Sequence, residues 1–312
     1  MPLKTKNNGS LLQQFASFVR KPNYDVAGEK GGVRVKIWAL FRLWSLTMVV
    51  SMVLALVIFV ALSVTGLDMG EHMITELIEE QPLYVFIFMA FIWAPIVEEL
   101  TFRAGMKYSR RAYACSAGLM LTMAVFLLFD IIGIGAGLLT YVIMAVLFAT
   151  LIWVPLRALV KEGALEQFYR KRFGRIFYFF TGSFAIVHLF NYVDFREIWF
   201  IAPLLIAPQF FAGIYLGFAR MKYGLKWAMF GHLMHNAALI IPASAMLSLS
   251  KSTMDLLNEG GINAVAEVPA ADMMLISISM LLFLLVQFVA AIGFVALWLE
   301  FNIARKNTGK RA

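Results

Sequence analysis

From residue 42 onward the chain alternates long apolar blocks with short polar loops. The blocks lie at roughly 42–66, 82–104, 112–132, 137–159, 176–193, 197–219, 226–248 and 273–300. Each is near the ~20 residues that an apolar helix needs to cross a bilayer. None shows the strict alternation of a half-buried strand. The pattern therefore predicts an all-α, polytopic membrane helix bundle with about eight transmembrane helices. Gly133-Ile134-Gly135-Ala136-Gly137 reads as a tight re-entry turn between the third and fourth blocks. Before residue 36 the chain is polar and basic, yet Leu11, Leu12, Phe15, Phe18 and Val19 recur at helical spacing. They predict a short helix on the membrane surface with Arg20 and Lys21 at the headgroups; a partly ordered tail is the alternative.

Charge orients this frame. Of 27 lysines and arginines, 25 fall on one side of an eight-span topology, and only Arg196 and Lys251 on the other. The opposite loops are acidic, with Asp68, Glu71, Glu76, Glu79 and Glu80 in the first and Asp255, Glu259, Glu267 and Asp272 in the last. The positive-inside rule then places both termini in the cytoplasm. The expected division is a basic cytoplasmic segment at 1–41, the spanning domain at 42–300, and a basic cytoplasmic tail at 301–312. Composition agrees, with 61% hydrophobic and only 15% charged residues, against about 25% charged in soluble domains. The net charge of +8 sits in short loops between apolar blocks, which argues against nucleic acid as a partner. Cys115 is the single cysteine, so no intramolecular disulfide forms.

Against this background the intramembrane polar residues stand out, because a charge at bilayer depth costs roughly 2.5–3.5 kcal/mol on insertion scales. Glu98 and Glu99 point about 100° apart on a helix, whereas Glu99 and Arg103 share a face. Glu99 is expected to pair with Arg103, leaving Glu98 to face the interior as a general base; a purely structural Glu–Arg lock is the plainer alternative. His188 follows Phe184 by one turn, and taken alone it reads as a packing histidine. His232 and Asn236 share a face of the seventh block, with His235 nearby. An imidazole and a carboxamide so arranged can bind a developing oxyanion, or simply bridge helices. Counting 1.5 Å per residue from the cytoplasmic basic residues Arg110, Arg175 and Lys222 puts Glu98, His188 and His232 at about 18, 20 and 15 Å. Gly213 and Gly217 form a close-packing step, Pro95 frees backbone groups beside the glutamates, and Gln287 can bridge helices.

Taken together, Glu98-Glu99-x-x-x-Arg103, Phe184-x-x-x-His188 and His232-x-x-x-Asn236 resemble the motifs of the CPBP family, the CAAX prenyl protease and bacteriocin-processing (Abi) membrane enzymes. The approach Pro208-Gln209-Phe210-Phe211-Ala212-Gly213, with Arg220, Gly224 and Leu225, is similar too. The resemblance covers about residues 82–240. It implies an intramembrane endopeptidase in which Glu98 and His188 activate water while His232 and Asn236 stabilise the oxyanion. Glu99, Arg103, Phe184 and His235 would support them. It also implies an integral protein of the bacterial plasma membrane acting on a peptide or protein substrate, with no feature that demands a prenyl group. A metal-free scheme is favoured; if Zn²⁺ were used, Glu98, His188 and His232 would hold it. One departure matters: 90 residues and two extra spans separate Glu98 from His188, where the family usually has consecutive helices. The competing expectations are a non-catalytic membrane protein that binds and regulates a partner, and a proton-coupled transporter using Glu98 and His188 as a relay.

Overall fold

A computed structural model of the chain describes residues 9–26, 28, 31–66, 82–135, 137–161, 163–191, 199–246, 248–249, 252–253, 256 and 267–309. Among these every regular element is helical. His72, Arg196, Lys251 and the acidic residues from Asp68 to Glu80 lie outside the described residues.

The described residues of the eight apolar blocks are almost all helical. We label α1 Leu11–Arg20 and α2 Val33–Thr65. The third helix, α3, runs through three consecutive segments, Leu83–Phe88, Met89–Trp93 and Ala94–Phe102. Then come α4 Arg110–Ile131, α5 Leu138–Leu159 and α6 Ala164–Val187. The last three are α7 Ala207–Tyr223, α8 Leu225–Met246 and α9 Ala270–Gly309. Six of them, α2 to α6 and α9, are long and apolar enough to cross a membrane, as an integral membrane protein requires. Of the other three, α1 has 10 residues, α7 has 17, and α8 carries Lys226, His232, His235 and Asn236. Several helices outrun their blocks: α2 starts at Val33 and α9 continues to Gly309. An apolar block measures what must face lipid, while the helix itself continues into the polar margin.

The centre of the bundle is α7, which packs against α2, α6 and α8. Its residues from Ala212 to Tyr223 are buried apart from Arg220. Glycine makes this approach possible: a Cβ on Gly217 would sit 2.6 Å from Phe177 Cε2. The small-residue step read from the sequence is therefore a packing device.

The two helices inserted between Glu98 and His188 form a hairpin at the side. There α5 packs on α4 so closely that a Cβ on Gly118 would lie 2.6 Å from the Ala149 backbone nitrogen. No residue of α5 is buried. Because α4 packs on α3 while α3 keeps its own contact with α6, the insertion widens the bundle without parting the motif helices.

A Ser10/Gln13 capping box starts α1, with Ser10 N donating to Gln13 Oε1 at 2.8 Å. Its apolar face does not meet headgroups. Leu11, Phe15 and Phe18 are buried, and Phe18 meets Phe177 and Phe218 edge-on at 5.0 and 5.2 Å. The N-terminal segment is thus docked onto α6 and α7. Lys222 Nζ donates to Gln14 Oε1 at 2.6 Å, and Leu11 N to Glu300 Oε1 at 3.0 Å.

Candidate functional site

The site grows from a distortion in α3. Residues Met89–Trp93 form a π-helical turn, whose hydrogen bonds span five residues instead of four. Ala94 N–H accordingly donates to the Met89 carbonyl. The next rung would run from residue 95 to the Ala90 carbonyl, but Pro95 has no N–H. The carboxamide of Asn236 on α8 fills the gap, with Nδ2 donating to the Ala90 oxygen at 2.8 Å. Downstream of this turn α3 presents Glu98 and Glu99.

The two glutamates part as helical phase predicts. Glu99 is fully buried, as is Arg103, and Arg103 Nη1 lies 3.4 Å from Glu99 Oε1. Glu98 keeps 20% of its side chain exposed. His232 sits between them. Its Nδ1–H donates to Glu99 Oε1 at 3.0 Å, and its Nε2 lies 3.7 Å from Glu98 Oε2. Glu99 therefore does more than hold Arg103: it sets the tautomer and orientation of His232. A carboxylate behind an imidazole is a common device for that purpose.

Phe184 on α6 joins the remaining parts. The Arg103 guanidinium lies over its ring at 3.8 Å, an arrangement that offsets desolvation of a buried cation. Edge-on contacts link the same ring to Phe102 at 5.6 Å, His188 at 4.7 Å and His232 at 5.9 Å. The α-helix ends just before His188, whose Nδ1–H donates back to the Phe184 carbonyl at 2.7 Å. A carbonyl only accepts, so Nδ1 holds the proton and neutral His188 offers a lone pair at Nε2. Glu98, His232 and Arg103 all lie within electrostatic reach of His188. His235 is close to His232 and His188 in the same sense, with a buried Nδ1 that has no hydrogen-bond partner among the described residues. Helices α3, α6 and α8 thus bring Glu98, Glu99, Arg103, Phe184, His188, His232 and His235 together, and Asn236 joins through the α3 backbone.

Three supports were not foreseen from sequence. Arg220 Nε donates to the Arg103 carbonyl at 3.0 Å, and its Nη2 reaches the Ala104 carbonyl at 3.4 Å. Ser116 Oγ donates to the Thr101 carbonyl. These carbonyls lie at and just beyond the C-terminal end of α3, where a cation is favoured by the helix dipole. The signal available was a basic residue one helix away from a helix end, which does not name its partner. Arg220→Gln should lower unfolding stability by about 1.5–3 kcal/mol, the usual cost of losing hydrogen bonds to a charged donor. Thermal melting of the detergent-solubilised protein reads this, and an unchanged midpoint would remove the cap from the account.

Among the described residues no three His, Cys, Asp or Glu side chains converge as a metal-ligating group. The chemistry below rests on the side chains. Comparison with protein-family models, with curated proteins and with solved structures gives no match.

Proposed function

We propose that the chain is a membrane-embedded endopeptidase of CPBP type, with eight spans and both termini cytoplasmic, that hydrolyses a peptide bond of a membrane-associated peptide or protein. The observation that carries this reading is the approach of Glu98 to His232, with His188 and His232 both against the Phe184 ring. Glu98 Oε2 is buried, has no hydrogen-bond partner among the described residues, and faces His232 Nε2 at 3.7 Å. His188, with Nδ1 bonded to the Phe184 carbonyl, offers Nε2 as a second acceptor. A water has two protons to donate, and Glu98 and His188 supply two acceptors for them.

In this reading His232, held between the two carboxylates, presents a protonated Nε2 as the donor to a developing oxyanion. In the proposed step Glu98 takes a proton from water as its oxygen bonds to the scissile carbonyl carbon. The carbonyl oxygen becomes an oxyanion facing His232. Glu98 then returns the proton to the leaving amine as the C–N bond breaks. No metal takes part.

Membranes carrying wild type or His188→Ala are compared for their peptide profiles. Wild type should release products that the variant lacks, while both insert equally. Identical profiles would sink the endopeptidase reading. A chelator such as phenanthroline should leave the wild-type products unchanged; their disappearance would overturn the metal-free scheme.

A further inference from the structure

Asn236 reaches the backbone of α3, a contact that calls for more than an oxyanion role. We infer that Asn236 is a positioning residue: its carboxamide replaces the backbone donor that Pro95 removes, and so holds the π-turn that aims Glu98 and Glu99 at His232. The part of this inference that concerns cleavage rests on the proposed function above; the tether itself does not.

A free carbonyl within an apolar helix is costly, and such groups recover partners from neighbouring helices. The rung is specific. Ala94 N–H takes the Met89 oxygen, the following donor is missing at Pro95, and the oxygen left over is the one Asn236 Nδ2 meets at 2.8 Å. Asn236 also lies one turn beyond His232 on α8. One face of α8 therefore grips α3 twice, through the backbone at Ala90 and through the side chains of Glu98 and Glu99. Two grips along a helix fix its rotation as well as its distance.

Rotation matters because the π-turn holds one extra residue. Rewinding Met89–Trp93 into α-helix would turn the two halves of α3 against each other by about 100°. That angle equals the one separating Glu98 from Glu99, so the two carboxylates would no longer bracket His232. The bond from Asn236 stabilises the turn that keeps the phase.

The test removes the donor and then restores it elsewhere. Asn236→Ala should lower cleavage about tenfold or more, as loss of a partner to a buried carbonyl implies. Pro95→Ala, which returns an N–H to the helix, should rescue Asn236→Ala in the double variant. A second readout needs no substrate. Ala90-Phe91 is the sole Ala-Phe step in the chain, so ¹³C-carbonyl alanine with ¹⁵N phenylalanine gives one filtered signal reporting the Ala90 carbonyl. That signal should shift in Asn236→Ala and return in the double variant. If Asn236→Ala does not accumulate, recovery of folded protein by the double variant is the equivalent result. An Ala90 signal unmoved by Asn236→Ala, or not restored by the double variant, overturns the tether. A restored signal with cleavage still lost would mean that Asn236 acts on the reacting atoms directly. Glu98→Gln runs alongside: if it cleaves normally, the endopeptidase reading fails while the carbonyl signal still decides the tether.

Discussion

Arg103→Ala should cost about 3–5 kcal/mol of stability, the range for breaking a buried ion pair from one side. Arg103 and Glu99 are both fully buried, and the guanidinium is sandwiched between that carboxylate and the Phe184 ring. Removing it leaves Glu99 with His232 as its remaining polar side-chain partner, and two carboxylates against one imidazole. Glu99→Ala should destabilise by a similar amount, since it strands the cation instead. The paired change Glu99→Ala/Arg103→Ala removes both charges and should cost clearly less than the sum. Denaturation in detergent micelles, run as a double-mutant cycle, measures this; full additivity would refute the pair. Arg103→Lys should recover little, because an ammonium cannot lie flat on Phe184 while reaching Glu99. Function separates the two glutamate partners. Glu99 also orients His232 through Nδ1, so Glu99→Ala should lose cleavage even where enough folded protein survives for assay.

What could be read from the sequence divides along a physical line. Periodicity and length identified the helices, because each apolar block must be satisfied within one segment. Helical phase separated Glu98 from Glu99 and paired the latter with Arg103, since both statements concern neighbours on one helix. Partners on other helices were beyond that reach. Nothing in residues 89–95 names Asn236 as the donor to Ala90, although Pro95 announces that some carbonyl goes free. His232 was assigned beside Asn236 by shared face, and its link to both glutamates required the approach of α8 to α3. The apolar face of α1 fits headgroups or protein equally well by spacing, and Phe177 and Phe218 decide for protein. Depth counting from Arg110 assumed continuous helix, yet α3 ends at Phe102, so Glu98 lies one turn from the helix end. Arg220 belongs to the same class of omission: its charge was visible and its target, the end of α3, was not.

Glu98→Gln should lose cleavage by about 10²–10⁴-fold, the usual contribution of a positioned general base, with insertion and melting almost unchanged. The substitution keeps the shape of the side chain and removes its basicity. Stability is spared for a structural reason. Glu98 takes no part in the Arg103 pair, keeps 20% of its side chain exposed, and has an oxygen without a hydrogen bond among the described residues. This sets it apart from Glu99, where the same change strikes fold and function together. Glu98→Asp gives the finer measurement. It retains the carboxylate but draws it back by one methylene, and a displacement near 1 Å from a reacting atom costs on the order of 10²-fold. An intermediate loss in Glu98→Asp with a near-complete one in Glu98→Gln is the signature of a base acting at a defined distance. Equal, small losses in both would identify Glu98 as a packing group. A large stability loss in Glu98→Gln would move it into the Arg103 lock and leave the site without its base.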